Sequence, residues 1–150
     1  MFKGRYNHSV DAKGRTSLPA RFREALAGTH DDRMVLTTAL DDEYPHIVAY
    51  PYSGWREFEE KLSAKPSFDP SVILLKRLYV SSAVECSVDG HGRILIPPFL
   101  KEHAGIGREA AWLGMTGFVE LWEPRRWEAA YGSAAARIRE IREGLVGLDL

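Results

Sequence analysis

The fold of this chain is decided by a segment that occurs twice, as SVDAKGRTSLP at residues 9–19 and as SVDGHGRILIP at residues 87–97. Six residue types, Ser, Val, Asp, Gly, Arg and Pro, recur between the two copies at a constant offset of 78 residues. Self-similarity at a fixed spacing is the signature of an internal repeat. The sequence therefore predicts two similar structural units in one chain.

Each copy predicts a strand, a tight turn, a second strand and a short helix. Alternating residues precede the Asp and follow the Arg, which is typical of short strands. Between them, an Asp side chain can bond backbone N–H groups two residues on, and Gly adopts a positive φ without steric cost. The turn then places Arg15 and Arg93 at the start of the next strand. Pro19 can open the helix that follows.

The rest of the chain divides around a polar stretch that contains Pro66 and Pro70. We expect a first lobe over residues 1–64, a linker and connecting helix over residues 65–81, and a second lobe with a C-terminal helix over residues 82–150. Ser71 is the predicted N-cap of the connecting helix. Near the C-terminus, apolar residues at helical spacing predict a stripe that packs on a neighbouring surface: Ala134, Ile138, Ile141 and Leu145.

Composition limits the class of protein. The chain has 150 residues, of which 45% are hydrophobic and 27% charged, as in soluble globular proteins. Cys86 is the only cysteine, which excludes an internal disulfide or a cysteine zinc site and favours a reducing compartment. No apolar run reaches the ~18–20 residues of a membrane span, and no signal-peptide pattern opens the chain. We expect a cytoplasmic protein.

Charge is distributed unevenly along the chain. The net charge is −1, which argues against non-specific binding to nucleic acid. Residues 1–23 nevertheless carry six Lys or Arg and a single Asp. Acidic residues gather elsewhere, for instance at residues 41–43. This distribution predicts one basic face.

No arrangement of residues indicates catalysis. The five histidines lack metal-ligand spacing, and no P-loop, dinucleotide-binding glycine motif or G-x-S-x-G element is present. Asp11 and Asp89 are each followed by an Arg that can hold the carboxylate ionised, which makes paired acid–base carboxylates a poor interpretation. We therefore expect no enzyme activity, cofactor, metal or small-molecule substrate.

The turns themselves suit DNA. Guanidinium groups can bond guanine O6 and N7, and lysines can neutralise phosphates, which makes Lys13, Arg15, Arg93 and His91 candidate contacts. The alternative is that each Asp–Arg pair only staples its turn, since such pairs are common. The Asp can also serve both purposes by orienting the Arg. Trp55, Trp122, Trp127 and Cys86 are predicted to pack rather than to bind ligand.

In these motifs the chain resembles the MraZ family, whose members carry two AbrB-type domains in tandem with a D-x-x-x-R motif in each. The matching segments are residues 11–15 and 89–93, and the opening MFKGRY also resembles the family. The resemblance covers nearly the whole length. It implies an α+β fold in which two tandem AbrB-like swapped-hairpin β-barrel lobes form an intrachain pseudo-dimer with flanking helices.

The resemblance also implies a function. MraZ proteins regulate transcription of the division and cell-wall gene cluster that encodes them, generally as repressors, and assemble as rings that bind repeated upstream sites on double-stranded DNA. A cytoplasmic, nucleoid-associated location follows. The implied DNA-binding residues are Lys13, Gly14, Arg15, His91, Gly92 and Arg93, with Asp11 and Asp89 orienting the loops. The alternative is an AbrB-fold protein-interaction module, antitoxin-like, without direct DNA reading.

Overall fold

The computed structural model describes residues 1–150 and has a mixed α+β architecture in which six elements occur in the same order in each half. The first half comprises β1 (Arg5–Ser9), β2 (Arg15–Ser17), α1 (Ala20–Ala27), β3 (Arg33–Thr38), β4 (Ile47–Pro51) and α2 (Tyr52–Ser63). The connection comprises α3 (Pro70–Leu75) and a π-helical turn (Lys76–Val80). The second half comprises β5 (Val84–Ser87), β6 (Arg93–Leu95), α4 (Pro98–Ala104), β7 (Glu109–Gly114), β8 (Val119–Trp122) and α5 (Pro124–Ala135), followed by α6 (Ile138–Val146).

The strands of the two halves alternate in space. A six-stranded sheet has the order β1-β7-β8-β4-β3-β5, and β2 pairs with β6 in a separate two-stranded ribbon. All pairings are antiparallel, so that β1 of the first half adds to β7 of the second, and β5 adds to β3. When this order is read backwards, each strand is replaced by the corresponding strand of the other half. The two halves are therefore related by a pseudo-twofold axis between β4 and β8.

One hydrophobic core of 19 buried residues contains side chains from both halves. Leu18 and Ile96, which precede the two repeated prolines, are both at most 1% exposed in it. The Phe22 ring of α1 makes an edge contact with Trp112 of β7, at a centroid distance of 6.4 Å. Since the core contacts cross between the halves, neither half keeps its full core without the other.

The tryptophans and the cysteine pack as predicted. Trp55 and Trp122 are buried, and Trp127 packs its ring edge against Trp122 at 5.4 Å. Cys86 lies in the common core, where burial raises the pKa of its thiol to about 11. Such a thiol stays protonated at neutral pH and behaves as a small apolar side chain.

The predicted cap of the connecting helix was wrong by two residues. Asp69 is the N-cap of α3, since its Oδ1 accepts hydrogen bonds from the backbone N–H groups of Ser71 at 2.8 Å and Val72 at 3.4 Å. Pro70 occupies the first turn, where its missing N–H costs nothing.

The C-terminal stripe differs from the continuous helix that its spacing predicts. The helix is interrupted at Arg137, whose φ and ψ of −111° and 23° separate α5 from α6. Ile138 and Ile141 are 56% and 46% exposed, and no residue of α6 is buried. Of the stripe only Leu145 is partly buried, so most of its apolar surface is exposed. None of the helices is long and apolar enough to cross a membrane.

Candidate nucleic-acid interface

The ribbon of β2 and β6 places both repeated arginines on one face. Thr16 pairs with Ile94 at its centre, and these two side chains are only 1% exposed. Because side chains alternate along a strand, the flanking positions point away from the core. Those positions hold Arg15 opposite Leu95, and Arg93 opposite Ser17. Since Thr16 and Ile94 face the core, the two arginines lie on the outer face of the ribbon.

The two turns have the same backbone geometry. In the first, the Gly14 N–H donates to the Asp11 carbonyl at 2.9 Å, and the Asp11 N–H donates to the Arg15 carbonyl at 2.9 Å. In the second, the corresponding bonds from Gly92 to Asp89 and from Asp89 to Arg93 measure 3.0 and 2.8 Å. The glycines have φ of 87° and 75°, which only Gly adopts without strain. The duplicated motif therefore produces a duplicated turn.

Each Asp side chain organises its turn. Asp11 Oδ1 accepts from the backbone N–H groups of Lys13 and Arg15, both at 2.9 Å, and Oδ2 accepts from Arg15 Nε at 2.7 Å. In the second turn, the Asp89 carboxylate accepts from the backbone of His91 and Arg93 at 2.8 and 3.0 Å, and from Arg93 Nε at 3.0 Å. Each Asp thus fixes both the turn and the direction of its Arg.

The way in which the arginines are paired leaves them available. Arg15 and Arg93 each use only Nε to bond protein, and their side chains are 34% and 30% exposed. Arg33 shows the contrast, because its Nε, Nη1 and Nη2 all bond the carboxylates of Asp31 and Glu85. Arg33 is a structural arginine, whereas neither terminal nitrogen of Arg15 or Arg93 bonds another group of the protein.

The carboxylates stay ionised at physiological pH. Hydrogen bonds from the Arg15 backbone and side chain and from the Lys13 backbone lower the pKa of Asp11 from 3.8 to about 2. The pKa of Asp89 is also lowered, chiefly by the backbone N–H of Arg93. Folding depresses these pKa values, so the contribution of each pair to stability is complete above pH ~4.

We expect that contribution to be lost progressively as the pH falls from about 4, near the unfolded-state pKa, to the folded-state pKa of Asp11, about 2. A carboxyl-carbon NMR titration of the folded protein checks this. Asp11 is expected to titrate well below Asp residues in an unfolded peptide of the same sequence. Titration of Asp11 near 3.8 in the folded protein would show that the turn is not held by its carboxylate.

The structure brings all predicted site residues together at the ribbon. Lys13 and His91 are exposed in the two turns, and Gly14 and Gly92 lead directly into β2 and β6. The turns are also joined across the halves, because Ile96 N donates to the Gly14 carbonyl at 2.9 Å and Leu18 N donates to the Gly92 carbonyl at 2.8 Å. The two turns therefore form one continuous surface.

Arg23 is a basic residue of this surface that the motif alone does not indicate. It lies on α1 of the first half, yet its guanidinium packs against Gly92 of the second turn. It is exposed and forms no salt bridge. The sequence signal was its place among the six basic residues of the first 23, but the contact with Gly92 depends on the tertiary fold.

Gly92 is expected to be intolerant of a side chain. In Gly92→Ala, the left-handed backbone costs about 1–2 kcal/mol, and the new Cβ would clash with Nη1 of Arg23 unless that flexible side chain moves. Gly90→Ala is the matched control, since no atom lies within 4 Å of its Cβ position. Chemical denaturation should show a loss of about 1–2 kcal/mol for Gly92→Ala and less than about 0.5 kcal/mol for Gly90→Ala. Equal losses would contradict the turn geometry.

Comparison with known proteins is consistent across the chain. A family model described as "MraZ protein, putative antitoxin-like" matches residues 1–78 and again residues 80–146. Transcriptional regulator MraZ of Pelotomaculum thermopropionicum is 42% identical over 150 residues, covering 100% of this chain and 99% of the relative. Transcriptional regulator MraZ of Heliobacterium modesticaldum is 38% identical, covering 100% of both chains.

Among solved structures, the solution structure of PHS018 from Pyrococcus horikoshii aligns with 81% of this chain and 88% of its own, at 14% identity and a TM-score of 0.36. The family model and the full-length relatives are the basis for assigning the chain to a family. The chain belongs to the MraZ family.

Proposed function

We propose that this protein is a sequence-specific DNA-binding regulator of transcription, and that the β2–β6 ribbon reads the major groove. The observation that carries the proposal is the pair of arginines, each fixed through Nε and each with two free terminal nitrogens on one exposed face. The major groove admits a two-stranded ribbon, and an arginine fork bonds guanine O6 and N7. The names of the relatives, transcriptional regulators, agree with a role of this kind and with a protein that is not an enzyme.

The register of the ribbon fits base pairs about two steps apart. Arg15 and Arg93 occupy diagonal positions, since Arg15 faces Leu95 two residues from Arg93. Such diagonal positions lie about 7–8 Å apart. Successive base pairs rise by about 3.4 Å. The two arginines of one ribbon therefore reach base pairs about two steps apart.

We further propose which genes the protein regulates. By its family resemblance, the protein acts as a repressor of the division and cell-wall gene cluster, at repeated sites upstream of its own operon. It works in the cytoplasm at the nucleoid. We also propose that residues 1–64 and 82–150 are the two AbrB-like lobes, joined by residues 65–81, with swapped hairpins that form a barrel. The exchange of β1 and β5 between the halves supports this arrangement.

A ring of subunits would reconcile DNA binding with a net charge of −1. Two similar but unequal halves give a subunit unlike ends, and a head-to-tail contact between them closes into a ring when the rotation fits. Linked subunits on repeated sites gain affinity through effective concentration. The exposed stripe of α6 is available for such a contact.

Arg23 adds a phosphate contact beside the second turn, where His91 stands in place of Lys13. We expect Arg23→Gln to weaken binding about equally on all sequences and to lower the log–log salt slope by about one for each chain in contact with DNA. Arg21→Gln is the matched control on the same helix, because Arg21 is exposed and its Nη1 lies 3.9 Å from Glu24. Binding titrations at several salt concentrations measure both slopes. If the two variants change the salt slope equally, Arg23 makes no phosphate contact beyond that of any exposed arginine on the helix.

A second candidate function is an antitoxin-like module that binds a protein partner. Two observations favour it: the Asp–Arg pair within each turn, and the description of the matching family as antitoxin-like. In that case the arginines only stabilise their own turns. Alanine variants would then lose stability, and the native protein would not bind DNA at any salt concentration.

A further inference from the structure

The outer face of the ribbon is not symmetric. The repeat places Leu95 in the second copy at the position that Ser17 holds in the first. Leu95 is 54% exposed, while its neighbours Ile94 and Ile96 are 1% exposed and fill the core. An exposed leucine on a three-residue strand contributes little to the core. It lies on the face that carries the arginines, where its side chain is free to contact a ligand.

Leu95 lies beside only one of the two arginines. It pairs directly with Arg15, whereas Ser17 pairs directly with Arg93. Its Cδ1 also lies beside the first turn, 3.7 Å from the point that a Cβ on Gly14 would occupy. Leu95 is thus part of the surface around Arg15, and a hydroxyl takes the equivalent place around Arg93.

The chemistry of these two side chains differs toward DNA. In the major groove an apolar side chain contacts the C5-methyl group of thymine, whereas a serine hydroxyl bonds the donors or acceptors of any base edge. Directly opposed residues in an antiparallel pair have Cβ atoms about 4.5–5.5 Å apart. This spacing is close to the rise of one to two base pairs. A side chain opposite Arg15 can therefore reach the base next to the one that Arg15 reads.

We propose that Leu95 determines specificity by contacting the methyl group of a thymine next to the base pair read by Arg15. The proposal rests on the proposed function, because it assigns a role on the same ribbon. Ser17 provides no such contact beside Arg93. We therefore expect a thymine preference beside the base pair read by Arg15 and none beside the one read by Arg93.

The test begins with selection of binding sites from randomised duplexes by the full-length protein. The selected site is then made with uracil in place of each thymine in turn, which removes one methyl group and leaves base pairing unchanged. For one thymine beside the Arg15 contact, uracil should weaken binding about fourfold, the effect of one buried methyl group. Leu95→Ser should bind the thymine and uracil duplexes equally. The exchange variant Leu95→Ser/Ser17→Leu should move the sensitive thymine to the other side of the site.

The proposal is overturned if uracil has no effect at any position while Arg15→Ala still weakens binding, or if Leu95→Ser selects the same sequence as the native protein. In both cases DNA reading by the arginines stands and only the role of Leu95 fails. If the folded native protein enriches no sequence at all, the proposed function fails, and this inference fails with it. Leu95 is exposed, so thermal unfolding of Leu95→Ser should match the native protein and exclude misfolding as the cause.

Discussion

Replacing Arg15 and Arg93 together by alanine is expected to abolish sequence-specific DNA binding and to leave the protein folded. A bidentate contact to guanine contributes about 1–3 kcal/mol, so each single variant should bind about 5- to 150-fold more weakly. The turns should persist, because Asp11 and Asp89 keep their hydrogen bonds from the backbone. Fluorescence anisotropy with a selected duplex measures the affinity, and circular dichroism reports the fold.

Two controls sharpen this test. Arg125→Ala removes the same charge from an exposed position at the start of α5, so its affinity should stay close to native. Arg15→Lys keeps the charge and removes the fork, because lysine is a point charge. It should retain salt-dependent binding but lose preference for the selected site. Native affinity in a folded double variant would show that the ribbon does not read DNA.

Replacing Phe22 by alanine is expected to cost about 3–5 kcal/mol of unfolding free energy, as for other buried aromatic residues. Phe22 is fully buried, and its ring contacts Phe2 at 5.6 Å, Tyr6 at 5.4 Å and Trp112 at 6.4 Å. Trp112 belongs to β7 of the second half. Loss of one first-half side chain should therefore weaken the whole molecule.

Calorimetry distinguishes this result from a local defect. Native protein and Phe22→Ala should each unfold in a single transition, with the variant at a clearly lower temperature. Phe99→Ala is the matched control, since Phe99 is a helical phenylalanine that is 49% exposed. It should change stability by less than about 0.5 kcal/mol. Two separate transitions, with only one of them shifted, would mean that the halves fold independently.

The turns could be predicted from the sequence because their chemistry is local. Asp11 bonds backbone groups two and four residues along the chain, and Gly14 supplies the positive φ, so the motif contains its own geometry. Gly105 ends α4 in the left-handed conformation, the usual role of a glycine just past the end of a helix. Asp69 could have been identified as a cap from the proline that follows it.

The pairing of strands could not be predicted from the residues themselves. The alternating pattern predicts that β1 is a strand. It does not tell whether β1 pairs with β7 of the second half or with a strand of its own half. Only the family resemblance implied an exchange between halves. The contact of Arg23 with Gly92 depends on that exchange. The outward position of Leu95 could have been predicted from the sequence. Ile94 and Ile96 take the inward positions, so alternation places Leu95 on the same face as Arg93.

The doubled turn, we propose, reads a particular DNA sequence. The most direct measurement compares binding of the purified full-length protein to the DNA upstream of its own gene and to a scrambled duplex of equal length and composition, at low and moderate salt. We predict tighter binding to the native DNA at both salt concentrations, weakened as salt rises. Equal binding to both duplexes, or no binding by a protein shown to be folded and assembled, would contradict the claim.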